Sequence, residues 1–238
     1  MMKKEKDPMG HAIADYHKSG KAARLRVFSP MFDEDEIPVK HLFRPFDEMP
    51  AIEQEALKAS RGSILDVGAG AGCHSLALQS MGQQVTAIDI SPLAVATMRE
   101  RGVKDAREQD FFTLDGQFDT ILMLMNGIGI VGTLSRMPAF FMQLDRLLAP
   151  GGQLLCDSSD ICYIFEDEDG FIDLTGIDGY YGELTYQMQY KSIKGESFPW
   201  LFIDADTLTE QAAAHGFKAE VIARGNHYDY LARISRRL

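Results

Sequence analysis

The feature that most constrains the fold is a glycine-rich turn that follows a short apolar run. Residues 63–67 read Ser-Ile-Leu-Asp-Val, and Gly68, Gly70 and Gly72 then alternate with alanine. Residues 73–78 continue with helical spacing of apolar side chains. A strand, a glycine turn and a helix in this order let a ligand approach the backbone closely, at the free N–H groups of the helix start. The segment therefore predicts a site for a nucleotide-like ligand.

The chain on either side of this turn alternates short apolar runs with helical patterns. Four further runs predict strands, at 85–89, 106–109, 118–125 and 153–157. Such alternation is typical of a parallel sheet with crossover helices, and it predicts an α/β fold.

Charge and composition exclude several classes of function. The sequence has 24 Lys and Arg against 35 Asp and Glu, a net charge of −11, which disfavours nucleic-acid partners and anionic membranes. Its three cysteines have no C-x-x-C spacing, and no ligand cluster at metal spacing occurs, so we predict no metal. No apolar run reaches the roughly 18 residues of a membrane span, and the N-terminus does not resemble a signal peptide. We expect a cytoplasmic protein.

The residues around the glycine turn separate two classes of ligand. The dinucleotide fingerprint G-x-G-x-x-G would place glycine at Cys73. Asp66, two residues before Gly68, would repel a pyrophosphate and attract an ammonium group. S-adenosylmethionine has no phosphate and carries both an ammonium and a sulfonium. It is the favoured ligand, and an NAD(P)-dependent oxidoreductase is the weaker alternative.

Five motifs in the same order resemble the class I S-adenosylmethionine-dependent methyltransferases. The run from Asp66 to Gly72 is similar to their D/E-x-G-x-G-x-G motif, and Leu147 to Gly152 to their L-x-P-G-G turn before strand five. The resemblance implies that the methionine part contacts the glycine turn, the ribose an acid after strand two and the adenine an acid after strand three. The implied cofactor-binding residues are Asp66, Gly68, Ala69, Gly70, Gly72, Asp89, Ile90, Asp110, Phe111, Met125 and Asn126.

The resemblance also implies the architecture. It is a Rossmann-like seven-stranded sheet, mostly parallel with the last strand antiparallel, and helices on both faces. We expect one domain over 1–238, with a helical N-terminal cover at 1–60 and the cofactor-binding core at 61–160. A β-hairpin insertion after strand five occupies 161–203, and a helix and strand hairpin occupy 204–238.

The residues that bind the methyl acceptor are harder to predict from the sequence than those that bind the cofactor. The resemblance implies methyl transfer by SN2 displacement to an O, N or C atom, and a small-molecule acceptor fits because the Asn/Asp-Pro-Pro-Tyr/Phe motif is absent. His227 is the candidate general base, and the candidate pocket residues are Tyr16, Arg44, Trp200 and Tyr228. A protein that binds the cofactor without catalysis stays open. The sequence also leaves open whether the protein is a monomer or a homodimer. The acidic run 166–169 is either a lid over the site or a solvated loop.

Overall fold

The structure is a computed structural model that describes residues 2–167 and 169–237. Helices α1–α6 span Pro8–Ser19, Ala51–Ala59, Cys73–Ser80, Pro92–Arg101, Met137–Leu147 and Ala205–Ala214. Strands β1–β12 span Leu25–Ser29, Phe32–Ile37, Ser63–Val67, Gln84–Asp89, Ala106–Glu108, Phe118–Met123, Leu148–Ser159, Glu183–Tyr190, Ile193–Lys194, Phe198–Leu201, Phe217–Arg224 and Asp229–Arg236. The predicted α/β class is confirmed.

A seven-stranded sheet forms the centre of the molecule, in the order β11-β12-β7-β6-β3-β4-β5. The pairs from β7 to β5 are parallel, and β12 runs antiparallel to both of its neighbours. Along β3 the side chains alternate between faces, so Leu65 packs with Phe140 of α5 while Ile64 packs with Leu57 of α2. Both faces are covered, which explains the continuous apolar runs of the parallel strands. The predicted Rossmann-like sheet is confirmed.

The turn predicted at 150–152 is part of a strand. β7 begins at Leu148, and a bulge opposite Phe118 absorbs the extra residues before Gln153 pairs with Thr120. A Cβ on Gly152 would lie 2.9 Å from the Phe118 carbonyl oxygen, so glycine is needed for this close approach.

A second, smaller sheet corrects the prediction for the N-terminal segment. Its order is β10-β8-β1-β2, with β9 paired to β8, and all of its pairs are antiparallel. The predicted insertion hairpin is present, but 1–60 is helical only in part because β1 and β2 form a hairpin. β2 consists of four consecutive acids between Phe32 and Ile37, a composition that gives no strand signal. Antiparallel pairing with β1 in a hairpin overrides this local preference.

Two surface features complete the fold. None of the described helices is both long and apolar enough to cross a membrane. The acidic run 166–169 includes Glu168, which lies outside the described residues, and Glu166 forms an isolated antiparallel bridge with Ile172.

Candidate cofactor and acceptor site

The glycine turn lies between the end of β3 and the start of α3. Gly68, Gly70 and Gly72 all have left-handed backbone, with φ of 68°, 56° and 82°. A Cβ on Gly72 would lie 2.8 Å from Val103 Cγ2, so that position needs glycine for space as well as for conformation. A Cβ on Gly68 would meet nothing within 4 Å, and this face of the turn is open to a ligand. Ala69, between Gly68 and Gly70 in the sequence, is buried.

Asp66 lies under the turn as a buried carboxylate. Its Oδ2 accepts a hydrogen bond of 2.6 Å from the Ser75 hydroxyl, in the first turn of α3. Burial raises the pKa of Asp66, against the opposing effect of His74 and Ser75. A cationic group beside Asp66 would offset this cost, as the ammonium expected from the sequence would.

Asp89 ends β4 on the other side of the turn. Its two oxygens accept hydrogen bonds from the Gly70 N–H at 2.9 Å and the Ser91 N–H at 2.8 Å. Burial raises its pKa to about 6, with smaller contributions from the charges of Asp7 and Asp66. The carboxylate is thereby held in a fixed orientation at the sheet edge.

The N-terminal segment adds a contact at this edge. Asp7 caps α1 by accepting from the Gly10 N–H, and it also accepts a 2.6 Å hydrogen bond from the Ser91 hydroxyl at the start of α4. Ile90, between Asp89 and Ser91, leaves 45% of its surface exposed. It therefore presents an apolar surface beside the carboxylate.

Asp110 and Phe111 follow β5 in different environments. Asp110 is exposed and its Oδ1 accepts from the Phe112 N–H at 2.9 Å, so it caps the short turn Phe111–Thr113. Phe111 is only 3% exposed, and its ring packs against Phe112 and Phe140 in the core. The predicted adenine contacts therefore stay predictions, and the ring of Phe111 has a packing role.

Met125 and Asn126 follow β6 and adopt left-handed backbone, with φ of 63° and 56°. Their N–H groups donate to Oδ2 and Oδ1 of Asp157, at 3.0 and 2.8 Å. Burial raises the pKa of Asp157 to about 7, and the charge of Glu53 adds to the effect. Sequence reasoning did not single out Asp157. The signal was present, because Asp157 closes a buried apolar run just as Asp66 and Asp89 do.

Arg44, a candidate pocket residue, belongs to a buried ionic cluster. Its guanidinium pairs with Glu53 of α2, which also contacts His74 Nε2 at 2.8 Å. Arg44 is 9% exposed and its Nε has no hydrogen-bond partner among the described residues. Tyr16 of α1 lines the same surface cavity as Arg44, with its ring 4.7 Å from that of Phe43. Glu53 and His74 are further residues that the sequence analysis missed.

The remaining candidates lie around β7 and the second sheet. Trp200 of β10 packs on the loop after β6, where a Cβ on Gly129 would be 2.2 Å from the indole ring. Tyr228 is exposed in the β11–β12 turn, and its ring stacks on that of Tyr163 at 5.1 Å. His227 is exposed in the same turn and its backbone N–H donates to Asp229 Oδ1. β12 is three strands from β3, so His227 is roughly 14 Å from the glycine turn along the sheet.

The arrangement fits a phosphate-free, cationic cofactor. The open face at Gly68 lies between two carboxylates, Asp66 and Asp89, and a diphosphate placed there would be repelled by both. Within residues 2–167 and 169–237, no group of three His, Cys, Asp or Glu side chains could hold a metal ion.

Comparison with known proteins supports this assignment. Residues 64–152 match the family model described as a methyltransferase domain. A solved structure of a SAM-dependent methyltransferase from Bacteroides fragilis, in complex with S-adenosyl-L-homocysteine, is 57% identical in sequence. That match has a TM-score of 0.94 and covers 100% of this chain and 98% of the other.

Curated relatives match over a shorter region. The cypemycin N-terminal methyltransferase of a Streptomyces species is 30% identical over 103 residues, 41% of this chain and 42% of the relative. The demethylmenaquinone methyltransferase of Tropheryma whipplei (strain Twist) is 33% identical over 103 residues, 40% and 41% of the two chains. The chain thus spans less than half the length of these two relatives. The match to the Bacteroides fragilis protein covers both chains almost completely, and on that basis this chain belongs to the S-adenosylmethionine-dependent methyltransferases.

Proposed function

We propose that the protein transfers a methyl group from S-adenosylmethionine to an oxygen, nitrogen or carbon atom of a small molecule. The observation that carries the proposal is the open face of Gly68 between the carboxylates of Asp66 and Asp89. In this proposal Asp66 and the glycine turn bind the methionine part, Asp89 and Ile90 the ribose, and Asp110 and Phe111 the adenine. The net charge of −11 supports a small-molecule acceptor over a nucleic-acid partner. Three cysteines without C-x-x-C spacing suit a reducing compartment, which supports a cytoplasmic location.

Methyl transfer requires the side chains mainly to align the nucleophile with the methyl group and the sulfur. The bound cofactor supplies a methyl group on a positively charged sulfur, which a nucleophile displaces in line by an SN2 reaction. In this proposal Asp66 and Asp89 hold the methionine part and the ribose on either side of the sulfur, and fixed orientation is itself a large contribution to rate. A protonated acceptor must also lose its proton, for which His227 is the candidate base.

A binding experiment tests the cofactor assignment. Asp89→Ala should weaken S-adenosylhomocysteine binding by about 1–3 kcal/mol, because two charge-assisted hydrogen bonds to the ribose are lost. Calorimetric titration measures this, with Asp115→Ala, an exposed carboxylate away from the site, as the matched control. Unchanged affinity in Asp89→Ala would reject the role of Asp89. Tight NADH binding without binding of S-adenosylhomocysteine would favour the oxidoreductase alternative.

Turnover separates catalysis from binding alone. Methyl-labelled cofactor incubated with a broad metabolite panel should give a labelled product. Binding without transfer to any member of that panel would favour the non-catalytic alternative. In an active assay, His227→Gln should lower kcat without weakening S-adenosylhomocysteine binding if the imidazole acts as the base.

A further inference from the structure

Asp7, immediately before α1, is a buried carboxylate that joins two distant segments of the chain. Its Oδ1 accepts a 2.7 Å hydrogen bond from the Gly10 N–H in the first turn of α1. Its Oδ2 accepts a 2.6 Å hydrogen bond from the hydroxyl of Ser91, which lies 84 residues further along the chain. A buried carboxylate is costly unless its oxygens have partners, and here each oxygen has one. Asp7 therefore binds the start of α1 to the start of α4.

Ser91 connects Asp7 to the candidate ribose-binding carboxylate. Its hydroxyl also accepts from the Ala94 N–H at 2.9 Å, which caps α4, and its own N–H donates to Asp89 Oδ1 at 2.8 Å. The other oxygen of Asp89 accepts from the Gly70 N–H at 2.9 Å. A continuous chain of hydrogen bonds thus runs from the N-terminal segment through Ser91 and Asp89 to the glycine turn.

The first turn of α1 approaches α4 more closely than a side chain would allow. A Cβ on Gly10 would collide with the carboxylate of Asp7 and the hydroxyl oxygen of Ser91, so this approach requires glycine. One turn further along α1, the buried Ile13 packs with Ala71 of the glycine turn. The N-terminal segment therefore contacts the cofactor side both at α4 and at the glycine turn.

We infer that Asp7 is a positioning residue for cofactor binding, which acts through Ser91 to hold Asp89 in the orientation that receives the ribose. Docking of α1 on α4 and binding of the ribose are then coupled, because both depend on the position of Ser91. The inference rests on the proposed function, in which Asp89 binds the ribose. It makes the N-terminal segment a working part of the cofactor site, although Asp7 belongs to none of the five motifs.

The orientation of Asp89 is tested at pH 8, where its carboxylate is ionised. Asp7→Ala should lower the affinity for S-adenosylhomocysteine about fivefold by calorimetry, because the Ser91 hydroxyl loses its partner. In a Ser91→Ala background the same substitution should lower the affinity no further. Unchanged affinity in Asp7→Ala, or a loss that persists in the Ser91→Ala background, overturns the inference.

The charge of Asp7 gives a readout that a merely structural role would not change. Burial raises the pKa of Asp89 to about 6, and the charges of Asp7 and Asp66 add to this effect. Asp7→Asn removes one of these charges, so the pH at which the affinity for S-adenosylhomocysteine falls should move lower. The affinity at pH 8 should stay within about twofold, because either end of the amide can hydrogen-bond the Ser91 hydroxyl. An unmoved pH profile would overturn the inference.

Gly10→Ala tests the close approach of α1. Alanine favours a helix more than glycine does, so α1 itself is not weakened, and a loss of affinity comes from the displaced contact with Ser91. The affinity for S-adenosylhomocysteine at pH 8 should again fall about fivefold. Lys18→Ala, at an exposed position of the same helix, is the matched control and should leave the affinity unchanged. Equal affinities of the two variants would contradict the coupling.

The outcomes distinguish this inference from the proposed function. A loss of S-adenosylhomocysteine affinity in Asp89→Ala without a loss in Asp7→Ala overturns the inference and leaves the cofactor assignment standing. Absence of S-adenosylhomocysteine binding in the unmodified protein overturns both.

Discussion

The cofactor side of this molecule and its proposed acceptor side, which consists of the second sheet and the loop after β6, are built in different ways. The cofactor side is formed by consecutive segments, in which β3, the glycine turn, α3 and β4 follow one another within residues 63–89. The acceptor side combines distant segments, since β1 pairs with β8 and Trp200 of β10 packs on the loop after β6. The cofactor side can be predicted from the sequence because its segments are consecutive. The proposed acceptor side cannot, because it depends on pairing between distant segments.

The largest expected effect tests the local construction. Gly72→Ala should lower the free energy of unfolding by about 2–4 kcal/mol, because it adds a clash with Val103 to left-handed strain. Gly82→Ala is the matched control, since Gly82 has φ of 81° but open space around its Cβ, and it should cost about 1 kcal/mol. Urea denaturation measures both. Equal losses would mean that the contact with Val103 contributes nothing.

The next effect tests the acceptor side. Gly129→Ala places a methyl group against the indole of Trp200, the only tryptophan in the sequence, and should cost about 1–3 kcal/mol. Displacement of the ring should also shift its fluorescence emission.

A double substitution checks the cause of that loss. In a Trp200→Ala background the added methyl group meets no ring, so Gly129→Ala should cost clearly less. Additive losses, or an emission spectrum that does not move, would contradict the proposed contact.

The pH dependence of S-adenosylhomocysteine binding is a smaller expected effect, and it tests the cofactor side. Burial raises the pKa of Asp89 to about 6, and only the ionised form could accept the hydrogen bonds from both ribose hydroxyls that we propose. S-adenosylhomocysteine affinity should therefore be constant above about pH 7 and fall about tenfold by pH 5. Burial disfavours the ionised form of Asp89, and the charges of Asp7 and Asp66 repel it, so the free protein loses stability as the pH rises from the ordinary value of 3.8 through about 6. Calorimetry on Asp89→Asn should give a nearly flat profile.

The two regions also differ in what could be predicted from their sequence. Asp66, Asp89 and the three glycines are recognisable because the backbone conformation and the charge each require a particular residue type at a fixed spacing. The parallel strands are recognisable because strands buried on both faces are continuously apolar, whereas the seven-stranded order was implied by the resemblance to the methyltransferases.

The missed features depend on strand pairing and packing that the local sequence pattern does not show. β2 is acidic and exposed, so nothing local indicates a strand, and only its pairing with β1 defines one. The role of Asp157 requires knowing that β6 and β7 are neighbours, and the ring of Phe111 is buried by α5, which follows it by about 30 residues. Sequence spacing contains none of this information.

The smallest expected effect tests the link between the N-terminal segment and the insertion. The Tyr190 hydroxyl donates to Asp15 at 2.9 Å and accepts from the Ala23 N–H at 3.2 Å, joining α1 and the segment before β1 to β8. Tyr190→Phe should cost about 1 kcal/mol or less, because Ala23 is exposed and water can replace the lost partner. Tyr186→Phe, in the same strand, removes a hydroxyl without a hydrogen bond in the described structure and should cost less still. If thermal unfolding shows equal losses, the hydroxyl of Tyr190 does not stabilise the acceptor side, and the pairing of β1 with β8 alone holds the two segments together.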